Sequence, residues 1–154
     1  MVITKTALGA AVLAAAVGAS LATAAPAEAK EIRHVAKVAC RGISPNIVDR
    51  PYAGRITTTQ WLPSERGHVT IYIWQSASLF GYQTRPQLAW HNLTTNRRGH
   101  ASTISYNSIR GGDGASFNNI RTGAGRVRLT MYAKSSNWFV RVRSSTCATT
   151  VRVY

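Results

Sequence analysis

The sequence predicts an all-β protein: a two-sheet antiparallel β-sandwich of immunoglobulin-like or jelly-roll type, with a closed β-barrel as the alternative. Three observations carry this. Val, Ile, Thr, Tyr and Trp recur in short runs bounded by Gly, Pro, Asn and Ser. No heptad, long 3.6-residue period or internal repeat is present. The short runs number eight or nine and are separated by turn signals, which suits two packed sheets.

Eight or nine short strands are expected. The first, 32–40, places Ile32, Ala36, Val38 and Cys40 in one phase. A second covers 55–61. In the third, 68–75, Val69, Ile71 and Ile73 alternate with Tyr72 and Trp74. An apolar side chain at nearly every position reads as a central strand buried on both faces rather than an aromatic platform. Strands 87–93 and 101–106 flank the turn TTNRRGH, 116–121 follows, and 126–132, 138–143 and 149–153 complete the set.

Strands 126–132 and 138–143 read as a hairpin around Lys134-Ser135. A slip of one residue flips every side chain to the other face, so the two apolar sets share the core only in certain registers. The expected one sets Met131 against Trp138, Leu129 against Val140 and Val127 against Val142. On the outer face Arg128 then lies opposite Arg141 and Arg126 opposite Arg143. Cys147, Val151 and Val153 share the inward phase of the last strand and Arg152 the outward one. Cys40 and Cys147 are expected to meet as a disulfide, the usual state of paired thiols in an oxidising compartment.

That compartment follows from the first 29 residues. Lys5 precedes a long Ala-, Leu- and Val-rich run ending in Ala27-Glu28-Ala29, the pattern of a secretory signal peptide of bacterial type. Cleavage is expected after Ala29, or after Ala24 in the triplet Ala22-Thr23-Ala24. No Cys follows the apolar run and no Arg pair precedes it, and no later segment is apolar for the length of a membrane span. The expected product is residues 30–154, one secreted extracellular domain acting as a monomer.

Its charge is extreme. The chain carries +14, and because Lys5 and Glu28 would leave together the product keeps that value. Such a surplus attracts polyanions. The expected ligand face comprises Arg126, Arg128, Arg141, Arg143 and Arg152, with Tyr132 and Phe139 placed to stack and Arg97 and Arg98 of the turn as auxiliaries. Guanidinium forks grip phosphate or carboxylate with two hydrogen bonds each. The competing explanation is that charge on an outer or edge strand only blocks edge-to-edge aggregation.

Catalytic chemistry finds few parts. Glycosidic hydrolysis needs two carboxyl groups at a set separation, and the acids Glu31, Asp49, Glu65 and Asp113 are few and scattered. His34, His68, His91 and His100 show no metal-binding spacing, no G-x-S-x-G turn occurs, and GGDG at 111–114 supplies one Asp, too few oxygens for calcium. No metal or cofactor is expected. The sequence thus favours a non-catalytic binding module for anionic polymers of a cell envelope, a matrix or nucleic acid. One alternative is a secreted ribonuclease or toxin with Glu65 as base and His68, His91 or His100 as acid. Another is an extracellular protein inhibitor using the loop 76–87.

Overall fold

A strand with one apolar face has to lay that face against a second layer. The structure, a computed structural model, describes residues 28–109 and 114–154. Residues 1–27 of the expected leader and residues 111–113 of the GGDG turn lie outside the described residues. Two antiparallel sheets form. One has the order β1 (Lys30–Gly42), β2 (Tyr52–Leu62), β3 (His68–Gln75), β7 (Ala115–Arg121). The other runs β10 (Cys147–Val153), β8 (Gly125–Ser136), β4 (Tyr82–Asn92), β5 (Arg98–Ser102), with β6 (Ser105–Asn107) beside β4 and β9 (Arg141–Arg143) beside β8. The all-β, two-sheet architecture and the disulfide are as the sequence predicts.

The inner faces supply the core. Ile56, Ile71 and Ile73 from the first sheet meet Leu88, Val127, Leu129 and Met131 from the second, all fully buried. Each such side chain stabilises the fold by roughly 1.5–3 kcal/mol relative to an exposed one. Along one edge the sheets are tied directly. The Cys40–Cys147 disulfide joins β1 to β10, Arg41 N donates to Ser145 Oγ at 2.9 Å, and Ser145 N donates back to Arg41 O at 2.6 Å.

Four expectations are corrected. First, β8 does not turn at Lys134-Ser135 but continues, pairing Lys134 with Arg143, Ser135 with Val142 and Ser136 with Arg141. The turn is 137–140, where Asn137 Oδ1 accepts from Phe139 N at 2.9 Å and Val140 N at 2.7 Å. Trp138 and Phe139 are consequently 97% and 94% exposed at the loop tip, Trp138 not packed on Met131 and Phe139 outside the strand rows that hold the arginines. Second, Arg128 faces Thr150 and His91 rather than Arg141, and Arg126 faces Arg152 rather than Arg143. The phase survives: Val127, Leu129 and Met131 point inward and Arg126 and Arg128 outward. Third, Tyr72 and Trp74 are exposed on the outer face of the first sheet, with Trp74 opposite Arg55, so β3 is buried on one face only. Fourth, β1 has an irregularity between Val35 and Ala39 that leaves Val38 exposed, and 101–106 breaks into β5 and β6.

Loops 43–51, 76–81 and 137–140 gather at one end and are cross-braced. Asn137 Nδ2 donates to Pro45 O at 2.8 Å, and Asn46 Nδ2 donates to Gly81 O at 3.3 Å and to Asp49 Oδ2 at 3.1 Å. Ser44 Oγ, Ser78 Oγ and the Leu79 and Arg50 amides also donate to the Asp49 carboxylate. Burial pushes the Asp49 carboxyl up, but the hydrogen bonds from Ser78, Leu79, Asn46 and Arg50 together outweigh it and hold the group well below the usual carboxylate range. A depressed folded-state value means this stabilisation is complete above the unfolded pKa, about 4, and is lost as pH falls toward the folded one. The thermal midpoint should therefore decline with acidification below pH about 4. In Asp49→Asn that part of the decline should vanish; an identical acid limb in variant and parent would show that Asp49 does not brace this end.

Candidate functional site

Outward positions recur every second residue of a strand and neighbour one another across the ladder, so register decides which charges meet. On the outer face of the six-stranded sheet, the register sets Arg98, His91, Arg128 and Thr150 in one row. A second row holds Arg85, Lys134 and Arg143, and the next Tyr106, Gln83, Ser136 and Arg141. Arg126 and Arg152 face each other toward the opposite end. Between the cationic rows lies Tyr132 beside Gln87, and the Arg143 guanidinium stacks over the Tyr132 ring at 3.8 Å. Arg152 lies 5.4 Å from the Tyr154 ring centre.

Two shallow grooves run over this face. One is lined by His91, Arg98, His100, Arg128 and Thr130, over Trp90 and Gly99. Trp90 packs against the core so close to Gly99 that a Cβ there would stand 2.6 Å from the indole ring, so glycine is what admits the ring beneath this strand. The other groove is lined by Gln83, Arg85, Lys134, Ser136, Arg141 and Arg143. Arg85 and His91 are six positions apart on β4, which spans about 20 Å of strand. An extended ligand with several charges can therefore touch both grooves.

At the end remote from the braced loops, Asn92 positions the turn that carries Arg97 and leads into Arg98. Its buried side chain donates to the carbonyls of Thr122, Gly123 and Ala124 at 3.0–3.1 Å and accepts from Thr94 N at 2.9 Å and Thr95 N at 3.0 Å. His91 Nε2 lies 2.8 Å from Asn96 Oδ1 in the same turn.

No family model, curated protein or solved structure matches this chain.

Of the residues singled out in the sequence, Arg98, Arg126, Arg128, Tyr132, Arg141, Arg143 and Arg152 share this outer face, Arg97 sits in the turn beside it, and Phe139 is at the tip of the braced end. Arg85 and Lys134 were missed. Arg85 precedes a proline, a residue that interrupts a strand pattern, and the chain opposite Arg85 and Pro86 is the break between β5 and β6, where a missing N–H is tolerated. Lys134 stands where the sequence predicts a turn and β8 continues instead.

Of the residues of the ribonuclease alternative, Glu65 and His68 share a turn, but each side chain is engaged with nearby backbone. Glu65 Oε2 accepts from Trp61 N at 2.9 Å within its own turn, and His68 Nδ1 is 3.0 Å from Arg66 O. His91 and His100 stand on the other sheet. Among the described residues no group of three or more His, Cys, Asp or Glu is arranged to hold a metal ion.

Proposed function

We propose that this is an exported, monomeric binding protein that holds anionic polymers, without catalysis, on the outer face of its six-stranded sheet. The observation that carries this is where the charge lies. Arg126, Arg128 and Lys134 are on β8, an interior strand with β4 on one side and β10 and β9 on the other. Guarding an exposed edge is therefore no reason for them to be charged. Direct opposition of Arg126 to Arg152, and of Lys134 to both Arg85 and Arg143, opposes folding by roughly 0.2–1 kcal/mol per pair before salt screening. A phosphate, sulfate or carboxylate polymer supplies the counter-charge, since guanidinium groups bind such oxygens in pairs. Of the described acids, Glu31 on β1, Asp49 in the braced loops and Glu65 in the turn between β2 and β3 all lie off this face.

Export is supported by the Ala-rich leader and by a disulfide of the kind that persists outside the cytosol. Among the described residues no helix is long and apolar enough to cross a membrane. The test is retention on a sulfated matrix. Arg126→Gln with Arg152→Gln should elute at lower salt, while the thermal midpoint stays the same or rises slightly as repulsion is relieved. Unchanged retention with a lower midpoint would mean that these arginines serve the fold instead.

A further inference from the structure

The braced end presents a second surface of different character. At its loop tips Ile43, Ile47, Val48, Phe80, Trp138 and Phe139 point into solvent, Ile47 at 99% exposure and Phe80 at 69%. They come from three loops distant in sequence that the Asn46, Asp49 and Asn137 hydrogen bonds bind into one unit. Exposing so many large apolar groups together is unfavourable, and such patches mark places where something else covers them.

We infer that this end docks on an anionic lipid bilayer, its apolar tips entering the boundary between headgroups and acyl chains. Placement argues for lipid. The side chains stand at the ends of three loops, with Ile47, Trp138 and Phe139 almost fully solvated, and a fluid bilayer closes around such projections where a rigid partner would have to match them one by one. Side-chain type argues the same way, because Trp favours the membrane interface while Phe and Ile partition into the layer below it. Charge completes the case. Arg41, Arg50 and Arg141 stand just behind the tips, and Arg141 is two residues from Phe139, at most about 7 Å of chain. That places guanidinium groups at headgroup depth, where anionic lipid attracts each with about 1 kcal/mol. Among the described residues the acid at this end, Asp49, has its carboxylate turned to the loop hydrogen bonds. Because the bracing fixes the tips before contact, little ordering entropy remains to be lost on docking. The inference stands on these loops and does not depend on the polymer-binding role of the sheet face.

The test uses the full protein and two kinds of vesicle, phosphatidylcholine alone and phosphatidylcholine with one-third phosphatidylglycerol. Co-sedimentation should be strong with the anionic vesicles and weak with the neutral ones. Vesicles with brominated acyl chains should quench tryptophan emission, and Trp138→Phe should bind while losing most of that quench. Ile47→Ser with Trp138→Ser, both at fully solvated positions, should partition about tenfold less or weaker still. The same variant should keep its retention on the sulfated matrix and its thermal midpoint. The inference is overturned if anionic vesicles fail to bind the parent protein, if the double serine variant partitions equally well, or if bromolipid leaves emission unquenched. A concentration-dependent dimer shielding Trp138 without vesicle binding would also overturn it, assigning the tips to a second copy.

Discussion

Replacing Cys40 and Cys147 together with alanine is expected to lower the free energy of unfolding by about 4–5 kcal/mol. The bridge spans 107 residues of sequence, so it restrains most of the unfolded stretch 30–154, and the loop-entropy contribution rises with that length. In the folded state it joins β1 to β10, strands of different sheets, at an edge also held by the Arg41–Ser145 bonds, a 3.2 Å contact of His34 Nε2 with Thr149 Oγ1 and the bonds of Gln60 to the Tyr154 backbone. A domain of this size commonly has only about 5–15 kcal/mol in hand, so the variant should unfold at a much lower guanidinium concentration. An unchanged midpoint would mean that the inter-sheet core alone sets stability.

The second large effect is on binding. With double-stranded DNA as a probe of known charge density, affinity should fall by about 10³–10⁵ between about 50 and 200 mM salt if 6–10 phosphates are engaged. Arg85, Arg98, Arg126, Arg128, Lys134, Arg141, Arg143 and Arg152 supply enough cations on one face to reach that range. The mechanism is release of condensed counterions, so steepness counts the contacts and not merely the presence of charge. A shallow dependence would leave stacking on Tyr132 or the exposed aromatics as the source of any affinity.

How much of this was legible beforehand varies residue by residue. Strand 68–75 matches β3, and the phase of Arg126, Val127, Arg128 and Leu129 was correct because alternation reports faces directly. Alternation is blind to a shift that preserves phase. Ending the hairpin at 137–140 instead of Lys134-Ser135 leaves every inward residue of β8 inward, yet gives Arg126 and Arg128 new partners. The decisive local facts were hidden in the fold. Ser135 is buried with its hydroxyl 3.4 Å from that of Thr84, which makes a polar residue acceptable inside, and Asn137 caps the tip. Trp138 looked like core because it is large and apolar, and hydrophobicity cannot distinguish a core tryptophan from one held out at a loop end. The cationic face was half visible, since Arg85 lay behind a proline that only the gap between β5 and β6 explains.

What separates a binding face from a uniform coat of charge is position at equal charge. The direct measurement is the salt dependence of DNA affinity for two variants that each lose two cations: Arg128→Gln with Lys134→Gln on central β8, and Arg33→Gln with Arg55→Gln on the outer face of the other sheet. The β8 pair should lower the slope of log affinity against log salt by about 2, while the opposite pair leaves it at the parent value. Equal losses from both pairs would contradict a dedicated face.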